Sequence, residues 1–525
     1  MSLAKSATIQ GIIDQHGTRW VLLETALGTC SLSMTEVVEP SKAAPKLAEI
    51  GIVLPPGKSR SDFFARISAI AKYDAVHVVD QTGWHRHVFA IGDGGQVAPS
   101  GAAPLPSMMR TEPRAWTTQG SLKAWKNKVA KPLTGQRIPM FVIALAFAPA
   151  IIRFLPVWTN PGFELVGTRG TGKSTALQLA SSVYGGIGDG DGRRYWATWN
   201  TTVAGMETLL DGHTNCLLPL DELNAFSGGA TAAAKRKAYS DVLFQLADGI
   251  NRTRYGDRRG RQHSLCYLST SNTSLIQELR GCDAQVVAAC SDRLLTINAD
   301  AGADLGIFDF VPAGFPDTKS LIDHLKAGAS ENHGAAIRPY LQHLVDEAAE
   351  DLDGLTAKLG GWSKEFLDRA GLTKASGSEF RTASQFALVY AAGRLAQSYG
   401  VLPKRWRCGP SVMACYVQHR LEKSLALGGP QDMILAYKAL PGILSDTTFT
   451  ADAFRASPGV LVRHRDYDEL IVHPKALAAR IRDSVALVKQ LKAVGIAVCE
   501  PGTLQTKRSI EGKQVRVHCF RFERA

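Results

Sequence analysis

Apolar and polar positions alternate with period two over Thr8–Ile13 and Trp20–Leu23, which predicts short, half-buried strands. Ser61–Ala71 repeats its apolar positions on one face instead, the spacing of an amphipathic helix. Ala75–Val79 and Val88–Ile91 read as further strands around Gly83-Trp84-His85. A run rich in glycine, proline and alanine, Gly94–Pro106, reads as a linker. Residues 1–106 are therefore expected to be an α+β module with its linker. His77, His85 and His87 lie in it without a cysteine or acidic cluster, so packed or surface histidines are expected there, not metal ligands.

The pattern then changes. Ser121–Val129 and Ile138–Leu155 read as helices, and Phe163–Val166 as a short buried strand. Met140–Ile152 is the most apolar run, shorter than the roughly 20 residues a bilayer span needs. Pro149 interrupts it, so a buried helix is expected and no membrane partner. Ala176, Leu179, Ala180 and Val183 continue a helical pattern that Gly185-Gly186 should stop. Cys216–Leu220 is a strand closed by Asp221-Glu222, although Pro219 removes one ladder donor. Ser264–Ser269 ends in Thr270-Ser271-Asn272, and Ser291-Asp292-Arg293 opens another apolar strand. This alternation predicts an α/β nucleotide-binding core at 107–300. Residues 301–428 are mainly helical, with one apolar face on Ser378–Gln397 made by Phe380, Ala383, Phe386, Ala387, Tyr390, Ala391 and Leu395. The tail, 429–525, has the outline of a winged helix: strand Leu470–Val472, helices Pro474–Ile481 and Ser484–Val494, then a hairpin of Leu504–Ile510 and Gln514–Phe522 through Glu511-Gly512-Lys513.

The most informative chemistry is Gly167-Thr168-Arg169-Gly170-Thr171-Gly172-Lys173-Ser174, which fits G-x-x-x-x-G-K-[ST] between a strand and a helix. Such a loop turns its backbone N–H groups onto a phosphate chain at a helix N-terminus. Lys173 then reaches the β- and γ-phosphates of ATP and Ser174 holds Mg²⁺; Thr175 completes the phosphate-binding stretch. Asp221 is the expected second metal-side residue and Glu222 the group that polarises water. Asn272 is expected to touch the γ-phosphate; its alternative is a strand-end turn residue. Arg293 is placed to stabilise transition-state charge on a neighbour's nucleotide. Arg381 either reaches the nucleotide from a helical lid or is simply exposed.

Charge adds a partner. The chain has 525 residues, enough for several domains, and a net charge of +12, which favours a polyanion. Arg252, Arg254, Arg258, Arg259 and Arg261 cluster between two strands; they are either a solvated loop or a hairpin gripping DNA phosphates. Lys507, Arg508, Lys513 and Arg516 make the tail hairpin basic, either for DNA or as a solvated cap. Nine scattered cysteines without a CxxC pair support neither a zinc site nor a disulfide framework, and with no signal peptide a cytoplasmic setting is expected.

The P-loop, Asp-Glu strand, polar strand tip and late arginine together resemble an AAA+ ATPase. Thr82-Gly83-Trp84-His85, GTRGTGKSTALQLASSVYG, LLPLDEL, LADGINRTRYGD and FRTASQFALVYAAGRLA resemble, across most of the chain, a family long known only as a domain of unknown function. It occurs in mobile-element and phage replication proteins, including the MCM-like helicases of cassette chromosomes. The resemblance implies a ring-forming, hexameric, DNA-stimulated ATPase that unwinds DNA, with single-stranded or forked DNA as its partner. It also implies an arginine finger at Arg293, with Asp292 inserted where MCM-type proteins carry Ser-Arg-Phe, and a DNA-contacting hairpin at 252–261. Many relatives carry a primase domain ahead of this region; with no room for one before Thr8, no primase activity is expected here. Two other readings remain open: an AAA+ remodeller or initiator without processive unwinding, and an ATP-binding nucleic-acid switch.

Overall fold

The period-two segments pair with one another. β1 (Thr8–Ile13) and β2 (Arg19–Thr25) are antiparallel, with Thr8 opposite Glu24 and Ile13 opposite Arg19. β3 (Gly28–Ser33) and the short β4 (Asp74–Ala75) complete a sheet of order β3-β2-β1-β4. On it pack α1 (Met34–Val38), α2 (Pro40–Glu49) and α3 (Lys58–Ser68), so Val21, Leu23 and Leu32 are buried with Leu47, Phe63, Phe64 and Ile67. β5 (Gly83–His85), β6 (Val88–Ala90) and β7 (Gln96–Val97) form a separate antiparallel sheet. The expected strand Ala75–Val79 shrinks to Asp74–Ala75. Apolar patterning does not announce β3, α1 or α2, since β3 carries only Cys30 and Leu32 and α2 holds Pro45 in its interior.

This computed structural model describes the chain except residues 1–3, 5, 80, 106–115, 158, 189–193, 202, 227–230, 251–261, 280–281, 373–376, 428–433, 435–436, 439–442, 446–453, 455–456, 465, 482–483, 494, 511 and 524–525. Met1–Glu112 and Pro113–Ala525 are two compact units.

In the second unit, α4 (Leu122–Trp125) runs into a π-helical turn, Lys126–Ala130. α5 (Arg137–Phe147) is α-helical only to Phe147 and continues as a 3₁₀ segment, Ala148–Phe154. The single helix expected over Ile138–Leu155 is thus two pieces, because Pro149 has no N–H for an α-helical ladder. Arg137–Phe154 is apolar enough to cross a membrane, but 89% of it is buried inside the protein. Each large apolar side chain so buried contributes about 1.5–3 kcal/mol.

Around α5 lies the central sheet, β8 (Gly162–Val166), β9 (Ala197–Thr198), β10 (Leu217–Asp221), β11 (Cys266–Ser271) and β12 (Leu294–Asn298). It is parallel throughout, in the order β12-β8-β11-β10-β9. Continuous apolar runs suit strands buried on both faces, and every residue of β8 and β11 is buried. Pro219 is tolerated because β9 begins only opposite Leu220. Connecting helices are α6 (Lys173–Ser181), α7 (Val203–Asp211), α8 (Ala232–Asp248), α9 (Leu275–Glu278) and α10 (Ala284–Ser291). α6 stops at Ser181, before the glycine pair expected to end it.

α11 (Thr318–Glu331), α12 (Ile337–Glu350), α13 (Leu352–Arg369), α14 (Ser378–Ser398) and α15 (Cys408–Leu427) follow. α14 does not keep the single apolar face the sequence predicts: every residue from Thr382 to Ala396 except Arg394 is buried. It is a central helix, with Phe386 against Phe141 and Phe163.

In the tail, β13 (Leu444–Ser445), β14 (Val460–Arg463), β15 (Tyr467–Val472), β18 (Lys513–Glu523) and β16 (Ala497–Val498) form a sheet in that order, and β17 (Thr506–Ile510) pairs with β18. α16 (Pro474–Arg480) and α17 (Ser484–Ala493) lie between β15 and β16 in the chain.

Candidate active site

β8 delivers the glycine loop at its C-terminal end, and α6 begins at Lys173. Gly170 and Gly172 have φ of 89° and 90°, a left-handed conformation that a side chain disfavours. Lys173 Nζ donates to the carbonyls of Gly167 (2.8 Å) and Thr168 (2.9 Å) and to Asn272 Oδ1 (3.2 Å). Burial pulls the Lys173 pKa down, and the Asp221 charge opposes that shift. Ser174 Oγ lies 3.3 and 3.4 Å from the two Asp221 oxygens. Thr175 is buried beneath the first turn.

Parallel register carries Asp221, Glu222 and Asn272 to the same edge, since β11 lies between β8 and β10. The result is a cleft of about 730 Å³ lined by Arg169, Lys173, Ser174, Asp221, Glu222 and Asn272. Ile322 and Lys326 of α11 close its other side, a contribution no local motif signals. Glu222 is exposed and left-handed (φ 63°), a backbone state that costs energy in a non-glycine residue and clusters at functional sites. Thr270 holds it there: its Oγ1 accepts from the Glu222 N–H at 2.9 Å while donating to Asp221 Oδ1.

Asn224 also escapes a reading by motif. Its Oδ1 accepts from Ser271 Oγ (2.9 Å) and the Asn272 N–H (3.0 Å). Its Nδ2 donates to Thr273 Oγ1 (2.8 Å) and Glu278 Oε1 (2.9 Å). One side chain thus ties the turn after Glu222 to the tip of β11. Beneath the loop, Glu164 of β8 sits between Ser269 and Thr296 in register. Its carboxylate accepts from the Leu275 N–H (3.2 Å) and Thr296 Oγ1 (3.3 Å). Burial pushes its pKa up to about 8; those two bonds oppose the shift and the Glu278 charge adds to it.

Arg293 occupies the opposite edge. It precedes β12, whose Leu294 pairs with Gly162 at the start of β8. The length of β8, roughly 15 Å, separates it from the glycine loop. Arg293 Nη1 donates to Ala289 O (3.0 Å), Nη2 lies 3.7 Å from Asp248, and the guanidinium stacks 4.5 Å from the Phe244 ring. Arg381, exposed near the start of α14, is on this edge too and does not line the cleft. Burial alone would raise the pKa of neighbouring Asp292. Hydrogen bonds from Lys423 and Ser378, with the Lys423 and Arg381 charges, outweigh burial and hold it below the usual carboxylate range.

Arg252, Arg254, Arg258, Arg259 and Arg261 lie outside the described residues. The residues on either side of that stretch, Ile250 and Gln262, form an antiparallel bridge. Buried Asn160 braces the same point, donating to Leu246 O and His263 O and accepting from the Leu265 N–H. In the tail, Lys507 and Arg516 stand directly opposite each other, both exposed. Arg508 faces the other way and pairs with Glu469 at 2.7 Å. The Lys513 backbone opens β18 opposite Ile510.

A family described as "Domain of unknown function (DUF927)" matches residues 32–263. No curated protein matches the chain. Among solved structures, "SCCmec type IV Cch - active helicase" is similar at 14% identity with a TM-score of 0.59, covering 98% of this chain and 93% of that one. At that identity the likeness is one of fold.

Proposed function

We propose that the chain is an AAA+ ATPase that works as a ring-forming, hexameric DNA helicase in the cytoplasm, serving replication of a mobile element or phage. The observation that carries this reading is the strand order. With β11 between β8 and β10, Asn272 falls between Lys173 and the Asp221-Glu222 pair in one open cleft. The fold shared with a solved helicase supports it, as does the winged-helix outline of the tail.

ATP is the substrate. The N–H groups of Gly167–Ser174 and the Lys173 ammonium hold its phosphates. Ser174 and Asp221 would hold Mg²⁺: a hydroxyl beside a carboxylate is the hard oxygen donor set that ion takes. When bound, the ion neutralises phosphate charge. Glu222 accepts a proton from the attacking water, and Asn272 positions that water against the γ-phosphate. Arg293 and Arg381 belong to the far edge, so they act on the nucleotide of the next subunit. DNA phosphates are gripped by the 252–261 arginines and by Lys507, Lys513 and Arg516. Arg508, already paired with Glu469, contributes by holding the hairpin.

ATP-dependent strand displacement on a forked duplex tests this. Wild-type protein separates the strands, and Glu222→Gln does not. ATP hydrolysis without displacement would make the chain a remodeller or initiator instead. ATP binding without phosphate release would make it a switch.

A further inference from the structure

The helical region carries a second cleft with a different chemistry. It has a volume of about 450 Å³ and is walled by Trp362 and Arg369 of α13, Tyr390 and Arg394 of α14, and Lys404 and Arg407 of the connection to α15. Arg394 lies sixteen residues along α14 from Ser378, about 24 Å from the Arg293 edge at about 1.5 Å per residue. The cleft shares no lining residue with the candidate active site.

Four cations line it, Arg369, Arg394, Lys404 and Arg407, and a carboxylate beside it holds only the first two. Glu365 pairs with Arg369 at 2.6 Å and, more loosely, with Arg394 at 3.7 Å. Lys404 and Arg407 are exposed and have no carboxylate partner among the described residues. They come from the run Lys404-Arg405-Trp406-Arg407, whose tryptophan is the rigid part. Trp406 is 4% exposed, and its indole donates to Ala130 O at 3.0 Å. Gln397 Nε2 donates to the carbonyls of Pro403 (3.1 Å) and Trp406 (2.8 Å). The loop backbone is therefore fixed while its cations are exposed, so the ordering cost on binding falls on the Lys404 and Arg407 side chains and not on the backbone. Trp362 supplies a partly exposed ring, with the Arg394 guanidinium 5.3 Å and the Lys358 ammonium 5.7 Å from its centroid. Arg394 in turn is held by the Tyr390 hydroxyl at 2.8 Å.

The geometry points to this cleft as a binding site for single-stranded nucleic acid. Lys404 and Arg407 take backbone phosphates, and a base stacks on the Trp362–Arg394 platform. Fixed cations beside an aromatic face are what sequence-independent strand binding requires. An acidic peptide would use the cations but not the ring. The site goes beyond the proposed motor function, which assigns no residue of α13 or of the 399–407 connection.

The probe is a short fluorescein-labelled oligothymidylate, titrated by anisotropy at several salt concentrations. Lys404→Ala with Arg407→Ala should weaken binding and lower the slope of log K against log salt by roughly 0.7 per phosphate contact, about 1.4 in all. The charge-preserving pair Lys404→Arg and Arg407→Lys should keep the slope, which separates lost charge from lost fold. Trp362→Ala should bind about tenfold more weakly at an unchanged slope. Wild-type affinity and slope in the alanine pair would overturn the proposal while leaving the motor function intact. So would polyaspartate competing equally well against wild type and Trp362→Ala. Wild-type protein that binds no oligothymidylate would sink both readings, whereas binding without any ATP hydrolysis would sink only the motor.

Discussion

The two edges of the parallel sheet make opposite use of the same residue types. At the C-terminal edge, Lys173, Ser174, Asp221, Glu222 and Asn272 share an open cleft and bond chiefly to one another and to the loop carbonyls. At the N-terminal edge, Arg293 is pinned by Ala289, Asp248 and Phe244, and Asp292 by Lys423 and Ser378. The first edge leaves its polar groups open to a ligand. The second holds its arginine about the length of β8 away from that cleft. Under the proposed function, the site is therefore divided between two copies.

The largest effect should come from the far edge. Arg293→Ala is expected to lower ATP turnover by about 10³–10⁵ while leaving ATP binding within a few-fold, read by phosphate release and nucleotide titration. Turnover near wild type would remove Arg293 from the reaction. Next come the cleft residues. Glu222→Gln should bind ATP and lose about 10²–10⁴ in rate, whereas Lys173→Ala should lose binding and rate together. A Glu222→Gln protein that still turns over would mean another group activates the water.

Asn224 sharpens the comparison, because it acts through position alone. Asn224→Asp places an acceptor where Nδ2 now donates to Thr273 and Glu278, so the tip of β11 should shift. We expect kcat to fall by roughly 10²-fold with little change in KM. A lost cooperative melting transition, or a reduced fraction of molecules able to bind ATP, would instead mark a general loss of fold. In the tail, the opposed cations Lys507 and Arg516 repel each other unless an anion lies between them. Their double alanine variant should flatten the salt dependence of duplex binding by roughly 0.9 per contact. An unchanged slope would leave the hairpin a solvated cap.

The smallest effect is a matter of pH. Glu164 is protonated in the native state up to about 8, against a usual value of 4.5. A raised folded-state pKa gives stability that is complete below about 4.5 and lost as pH rises through about 8. The wild-type Tm should therefore decline across that window. Glu164→Gln, which keeps the neutral shape, should flatten the decline. Parallel Tm curves would show that the carboxyl does not titrate there.

The sequence makes the cleft legible because its chemistry is local. A glycine loop between a strand and a helix, and carboxylates ending an apolar strand, imply their own geometry. Asn224, Thr270 and Lys326 are different: each matters only through neighbours brought together by strand order or by a later helix. α14 shows the same limit, since its apolar spacing indicates a helix but not that other elements surround it. β3 and α2 are hidden for a simpler reason, a strand with two apolar residues and a helix containing proline. The cleft at Trp362 could not be read in advance, because its cations come from three separate segments.

Mixing two inactive proteins tests the divided site most directly. Arg293→Ala keeps its own cleft and lacks the far-edge arginine; Glu222→Gln keeps the arginine and lacks the base. Each alone should show almost no ATP hydrolysis. Mixed, with co-assembly verified by differential tagging, they should recover a measurable fraction of wild-type turnover, because some interfaces regain both groups. Co-assembled mixtures that stay as inactive as either parent at every ratio would contradict a site shared between copies.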